Sequence, residues 1–124
     1  MTPRDRGFML AKGAACGLLA TGALGLLFPR ALSKGFGVTV RDPSALAYVR
    51  AAAARDAVIG AMVFHAALRK RRKALIIAAA GCAALSNADL INAYVTGGRI
   101  ARPEHALHLA GAGIFIAILV SLAP

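Results

Sequence analysis

Residues 46–68 read LAYVRAAAARDAVIGAMVFHAAL. A helix of this length rises about 35 Å, enough to cross a hydrocarbon core of about 30 Å. The stretch is apolar apart from Arg50, Arg55, Asp56 and His65. Arg55 and Asp56 are neighbours near its middle, where an ionised group costs roughly 2.5–3.5 kcal/mol on insertion scales. The large apolar residues of the same stretch return only about 0.3–0.6 kcal/mol each. This helix is therefore expected to enter a bilayer as a hairpin with its successor, with its polar face turned toward other helices.

Three further apolar blocks of similar length flank it, at 8–28, 74–95 and 105–123. The whole chain of 124 residues is 59% hydrophobic, against roughly 45–50% apolar for a soluble domain on a broader count. Mean hydropathy is +0.68. An Ala-rich soluble bundle would carry polar outer stripes at helical spacing, and the first and last blocks have almost none. The expected fold is all-α: one transmembrane domain over 1–124, an integral membrane four-helix bundle running up-down-up-down. Its helices are expected at about 8–28, 46–68, 74–95 and 104–123. Arg4 and Arg6 before the first block also suit a signal peptide. That block is long for the role and no small-x-small cleavage site follows Phe28-Pro29-Arg30, so a retained helix is the reading.

The net charge of +10 raises nucleic acid as a partner. Its densest run, Arg69-Lys70-Arg71-Arg72-Lys73, has no interleaved aromatics and falls between two apolar blocks. A basic cluster there meets anionic lipid first and obeys the positive-inside rule. Nucleic acid is therefore not expected. Four spans place Arg4, Arg6, Lys12 and the 69–73 run on one side. Arg30, Lys34, Arg41, Arg99 and Arg102 fall on the other. The bias predicts both termini in the cytoplasm of a multi-pass protein of a bacterial inner membrane, with the lipid bilayer as its first partner.

Small residues recur at Gly13, Gly17, Thr21 and Gly25. This four-residue spacing predicts close helix approach, within the bundle or in a homo-oligomer. Pro29 is expected to end the first helix, followed by a link over 30–45. In that link Phe36, with Tyr48 just beyond, suits the headgroup level. Asp42 or Ser44 is expected near the second N-cap. Cys16 and Cys82 form neither a CxxC pair nor a metal spacing.

Polar residues of three blocks fall at one depth. Arg55 and Asp56 lie near the midplane. Asp89 and His108 each lie roughly 6–7 Å from the centre of their own spans, away from the basic run. Arg50 and Asn92 lie further out on the same side. Ser86, Asp89 and Asn92 share a helix face by three-residue spacing. A pocket between helices two, three and four is expected, opening to the non-cytoplasmic side. Asp56, Asp89, His108 and Arg55 are its candidate catalytic groups, and Arg50, Asn92 and His105 its candidate ligand contacts.

Several functions fit. A carboxylate beside an Arg is a base, and a His near the interface titrates near neutral pH. An isomerase, cyclase or epoxide-opening enzyme acting on a small apolar or amphipathic molecule needs little more. Metal or haem is a weaker fit. Glu104-His105-x-x-His108 supplies ligand types, and Asp89 or His65 others, but no strong ligand motif is present. No cofactor is therefore assigned, although metal and haem stay open. A non-enzymatic alternative is an accessory or structural subunit of a larger membrane complex, with Arg55–Asp89 as an internal lock. Intramembrane polar contacts average only about 0.6 kcal/mol, which does not offset several buried charges, so the functional reading is favoured.

CGLLATGALGLLFPRALSKGFGV, AAARDAVIGAMVF, SNADLINAY and ALHLAGAGIFI occur in that order. Together they resemble the small membrane proteins catalogued as domain of unknown function 4267. The resemblance spans nearly the whole chain and implies a four-helix membrane fold. It would place the family's positions on Arg55, Asp56, Gly60, Asp89 and His108, and it brings no activity with it. In size and layout the chain is also similar to DoxX-like membrane proteins, an analogy of fold alone.

Overall fold

The computed structural model describes all residues except 36–39, 41, 98–102 and 124, and no side chain at 35, 93, 96, 97, 103–105 or 107. The described chain is helical: α1 (Pro3–Leu27), α2 (Pro29–Gly35), α3 (Pro43–Leu68), α4 (Arg72–Gly97) and α5 (Pro103–Leu122). α1 and α3 start ahead of their apolar blocks, because their start signals lie outside those blocks. At α1, Thr2 Oγ1 accepts from the Asp5 amide at 3.1 Å, and the Thr2 amide donates to Asp5 Oδ2 at 3.1 Å. This capping box, with Pro3 in the first turn, begins the helix five residues before residue 8. At α3, Asp42 is the N-cap and accepts from the Ser44 amide at 3.0 Å, again with Pro in the first turn.

Pro29 ends α1, as expected, but it also begins α2 inside the stretch read as a link. Proline has no N–H to continue the α1 ladder, yet its fixed φ suits a first helical position. Phe36 lies outside the described residues. Between α3 and α4 the chain turns within three residues. Arg71 N–H donates to Ala66 O at 2.9 Å and Lys70 N–H to Ala67 O at 3.2 Å. This is a Schellman closure, with Lys70 at φ 50° where glycine is usual. A lysine there keeps a positive charge at the left-handed position.

Three helices are long and apolar enough to cross a membrane: Pro3–Leu27, Pro43–Leu68 and Arg72–Asn92. The fourth expected span is a shorter apolar helix in its described part, His108–Leu122. The outward faces are apolar too. Val58, Met62, Ile77 and Val120 are all exposed, the opposite of the polar stripes that a water-facing bundle requires.

α1 packs mainly on α3 and also on α5, and α4 packs mainly on α5; α3 and α4 touch sparingly. The inward stripe of α1 is Gly7, Ala11, Ala15, Gly22 and Gly25. Opposite it, Gly60 lets α3 lie on the α1 backbone. A Cβ at Gly60 would sit 3.0 Å from Ala15 O and 3.0 Å from Leu19 N. Within one chain the expected seam packs only in part. Gly25 makes a close approach, but Gly13 and Gly17 meet nothing within 4 Å. The true contact stripe advances by four residues to Ala11 and Ala15, then by seven to Gly22 and three to Gly25, and such mixed steps follow a helix partner around its axis. A strict four-residue row drifts off that stripe. The buried core, with Val63, Leu75, Phe115, Ile118 and Leu122, gathers toward the α3–α4 turn.

Candidate functional site

Away from that turn the helices separate around a cavity of about 600 Å³. α1 contributes Gly13, Gly17 and Thr21, so the row expected to hold a partner helix forms a smooth wall instead. The Thr21 hydroxyl is satisfied by its own helix, donating at 3.0 Å to Gly17 O and to Leu18 O. α2 closes one edge with Leu32 and Ser33, and Ile59, Cys82 and Phe115 line the cavity on the core side.

The polar wall comes from α3, α4 and α5. Neighbours on a helix point about 100° apart, yet the long Arg55 side chain bends back to its neighbour. Arg55 Nε and Nη2 each donate to Asp56 Oδ1 at 3.2 Å. Nη2 also donates to Asp89 Oδ2 at 3.3 Å, so one guanidinium joins α3 to α4. Among the described residues this is the one side-chain hydrogen bond across the α3–α4 seam. Both contacts are longer than the roughly 2.7–2.9 Å of a tight charge-assisted bond. The three groups keep substantial exposure, 40% for Arg55, 24% for Asp56 and 38% for Asp89, and all three line the cavity.

His108 lines the same cavity from α5. Ser86, Asp89 and Asn92 line it from one face of α4. Asn87 turns away and donates to Ala83 O at 2.7 Å. The structure thus brings Arg55, Asp56, Asp89, Asn92 and His108 to one cavity. It does not bring Arg50, which is exposed and is not among the lining residues. Five residues separate Arg50 from Arg55, a rotation of about 140° that turns it to another face despite its suitable depth. The His105 side chain lies outside the described residues, as does that of Glu104.

Sequence reasoning missed the α2 edge and the glycine wall. Small residues at four-residue spacing signal a smooth helix face, and smoothness suits a cavity as well as a packed helix. Among the described residues no group of three or more His, Cys, Asp and Glu is placed to hold a metal ion. His65 is exposed near the end of α3, away from the cavity wall. Cys16 is exposed and Cys82 buried, and both are free thiols.

Outside the spans, Asp42 shows what local geometry does to a carboxyl. The Ser44 hydroxyl donates to its Oδ2 at 2.7 Å. That bond, with the one from the Ser44 amide, holds the Asp42 carboxyl below its ordinary value.

A family model described as domain of unknown function (DUF4267) matches residues 15–122. The match includes every polar cavity residue named above. No curated protein and no solved structure matches the chain. The chain belongs to the DUF4267 family.

Proposed function

We propose that this DUF4267 member is an integral membrane four-helix bundle, up-down-up-down, that binds one small apolar or amphipathic molecule between its helices. α1, α3, α4 and α5 are the spans, and α2 lies at the non-cytoplasmic edge. The basic α3–α4 turn, together with Arg4, Arg6 and Lys12, supports cytoplasmic termini. The observation that carries the reading is one charged cluster, Arg55–Asp56–Asp89, on the wall of a cavity of about 600 Å³. Ligand pockets fall in the range of about 300–1,000 Å³, with a mainly apolar lining and a few convergent polar groups. The thin α3–α4 seam gives a membrane-borne molecule a sideways route in. If the bound molecule is turned over, Asp56 or Asp89 is the base, His108 the acid and Arg55 the electrostatic partner.

One observation favours a second reading. The Arg55–Asp89 pair spans a seam with few other contacts, as an internal lock in an accessory subunit would.

Asp56→Asn and His108→Ala separate the two. Under the binding reading both variants accumulate, elute as the parent does and keep its helical circular dichroism, but lose the co-extracted small molecule. Failure of both to accumulate favours the lock.

A further inference from the structure

The cluster on the cavity wall, with His108 beside it, leaves carboxylate oxygens open in a way that constrains what it can bind. It holds two carboxylates and one guanidinium. The bonds from Arg55 go to Asp56 Oδ1 and to Asp89 Oδ2. Asp56 Oδ2 and Asp89 Oδ1 accept no hydrogen bond from the described residues. An ionised carboxylate only accepts. The nearby hydroxyl of Thr21 already donates to its own helix, and the rest of the α1 and α2 wall is apolar or small. The cavity thus offers open acceptors on its polar wall, beside Ser86, Asn92 and His108, and an apolar or small lining on its α1 and α2 side.

From this, and resting on the binding reading above, the geometry points to an amphiphile whose head donates hydrogen bonds, an alcohol or an alkylammonium, seated against Asp56 and Asp89. A wholly apolar molecule would leave two carboxylate oxygens unsatisfied in a dry site, at a desolvation cost. An anionic head would face two carboxylates whose one guanidinium already donates to both of them, and like charges held together discriminate strongly. A donating head satisfies the open oxygens while its chain lies along Gly13, Gly17 and Ile114. The cavity volume of about 600 Å³ leaves room for that chain.

The test uses the full chain in lipid nanodiscs, titrated separately with decanol, decylammonium and decanoate and read by native mass spectrometry. Decanol or decylammonium should form a one-to-one complex, with decanoate weaker by about tenfold or more. Asp89→Asn separates the two donors. It should weaken decylammonium more than decanol if charge contributes to recognition, and both alike if donation alone does. Gly17→Leu, which fills open cavity space rather than a packed contact, should abolish the complexes and so locate them. Equal binding of all three probes, or tighter binding of decanoate, overturns the head assignment and leaves the binding site standing. Binding of none of them, or binding unchanged in Gly17→Leu, overturns both.

Discussion

Two glycines five residues apart on α1 should respond to the same substitution in opposite ways. A Cβ at Gly22 would lie 2.7 Å from Ala57 Cβ, 2.8 Å from Ala53 O and 2.8 Å from Ala57 N. Two of these three are α3 backbone atoms, which cannot swing aside as a side chain can. Ordinary contact begins at 3.4 Å, so α1 and α3 would have to part by 0.6–0.7 Å along this stretch. Overpacking of this kind costs roughly 1–3 kcal/mol. A Cβ at Gly17 meets nothing within 4 Å, and replacing a mid-helix glycine by alanine gains roughly 0.5–1 kcal/mol. The helix gain is common to both sites, so Gly22→Ala and Gly17→Ala should differ by the overpacking cost, about 1–3 kcal/mol, which is roughly fivefold to a hundredfold in the folding equilibrium. Titration of the detergent-solubilised protein with sodium dodecyl sulfate, followed by helical circular dichroism, measures both. If Gly17→Ala destabilises as much as Gly22→Ala, Gly17 faces a packed partner, and the cavity wall on α1 is wrong.

The same titration tests which side chains face the interior. Leu75→Ala, at a fully buried position, should cost roughly 2–5 kcal/mol, whereas Ile77→Ala on the exposed face of α4 should leave the midpoint within about 0.5 kcal/mol. Asp89→Asn removes the ion pair across the α3–α4 seam. Intramembrane polar contacts average about 0.6 kcal/mol and reach about 1.7, so a loss beyond that range would show that the pair locks the fold. The Asp42 carboxyl, followed by carbon NMR, should titrate below the ordinary range of an aspartate, and Ser44→Ala should move it upward. Because its folded pKa is the lower one, the cap stabilises the start of α3 above the unfolded value, and that contribution is lost as pH falls through the folded one. A midpoint unaffected by Ser44→Ala would refute this.

Hydropathy made the long helices legible, because a bilayer-length apolar block has few other uses. It placed their starts late, because Thr2, Asp5 and Asp42 are polar capping residues outside the blocks. α2 was hidden because a proline both stops one helix and suits the first turn of the next. Depth along each span correctly brought Arg55 and Asp56 to Asp89, since short connections hold adjacent helices in register. Depth says nothing of the direction in which a residue points. Arg50 therefore reads as a neighbour of the cluster by depth and turns away from it by angle. The Gly13–Gly17–Thr21 row shows the same limit. Its smoothness was legible, but whether a helix or a void lay against it depended on the steps at Ala11, Ala15 and Gly22, which set the α1–α3 contact.

The central claim is that the cavity beside Arg55, Asp56, Asp89 and His108 holds a small molecule. Native mass spectrometry of the protein gently extracted from its membrane tests this most directly, with Gly17→Leu alongside. The account predicts one small molecule per chain in the parent and none in the variant. A parent chain that carries no small molecule but a protein partner in fixed stoichiometry would contradict it.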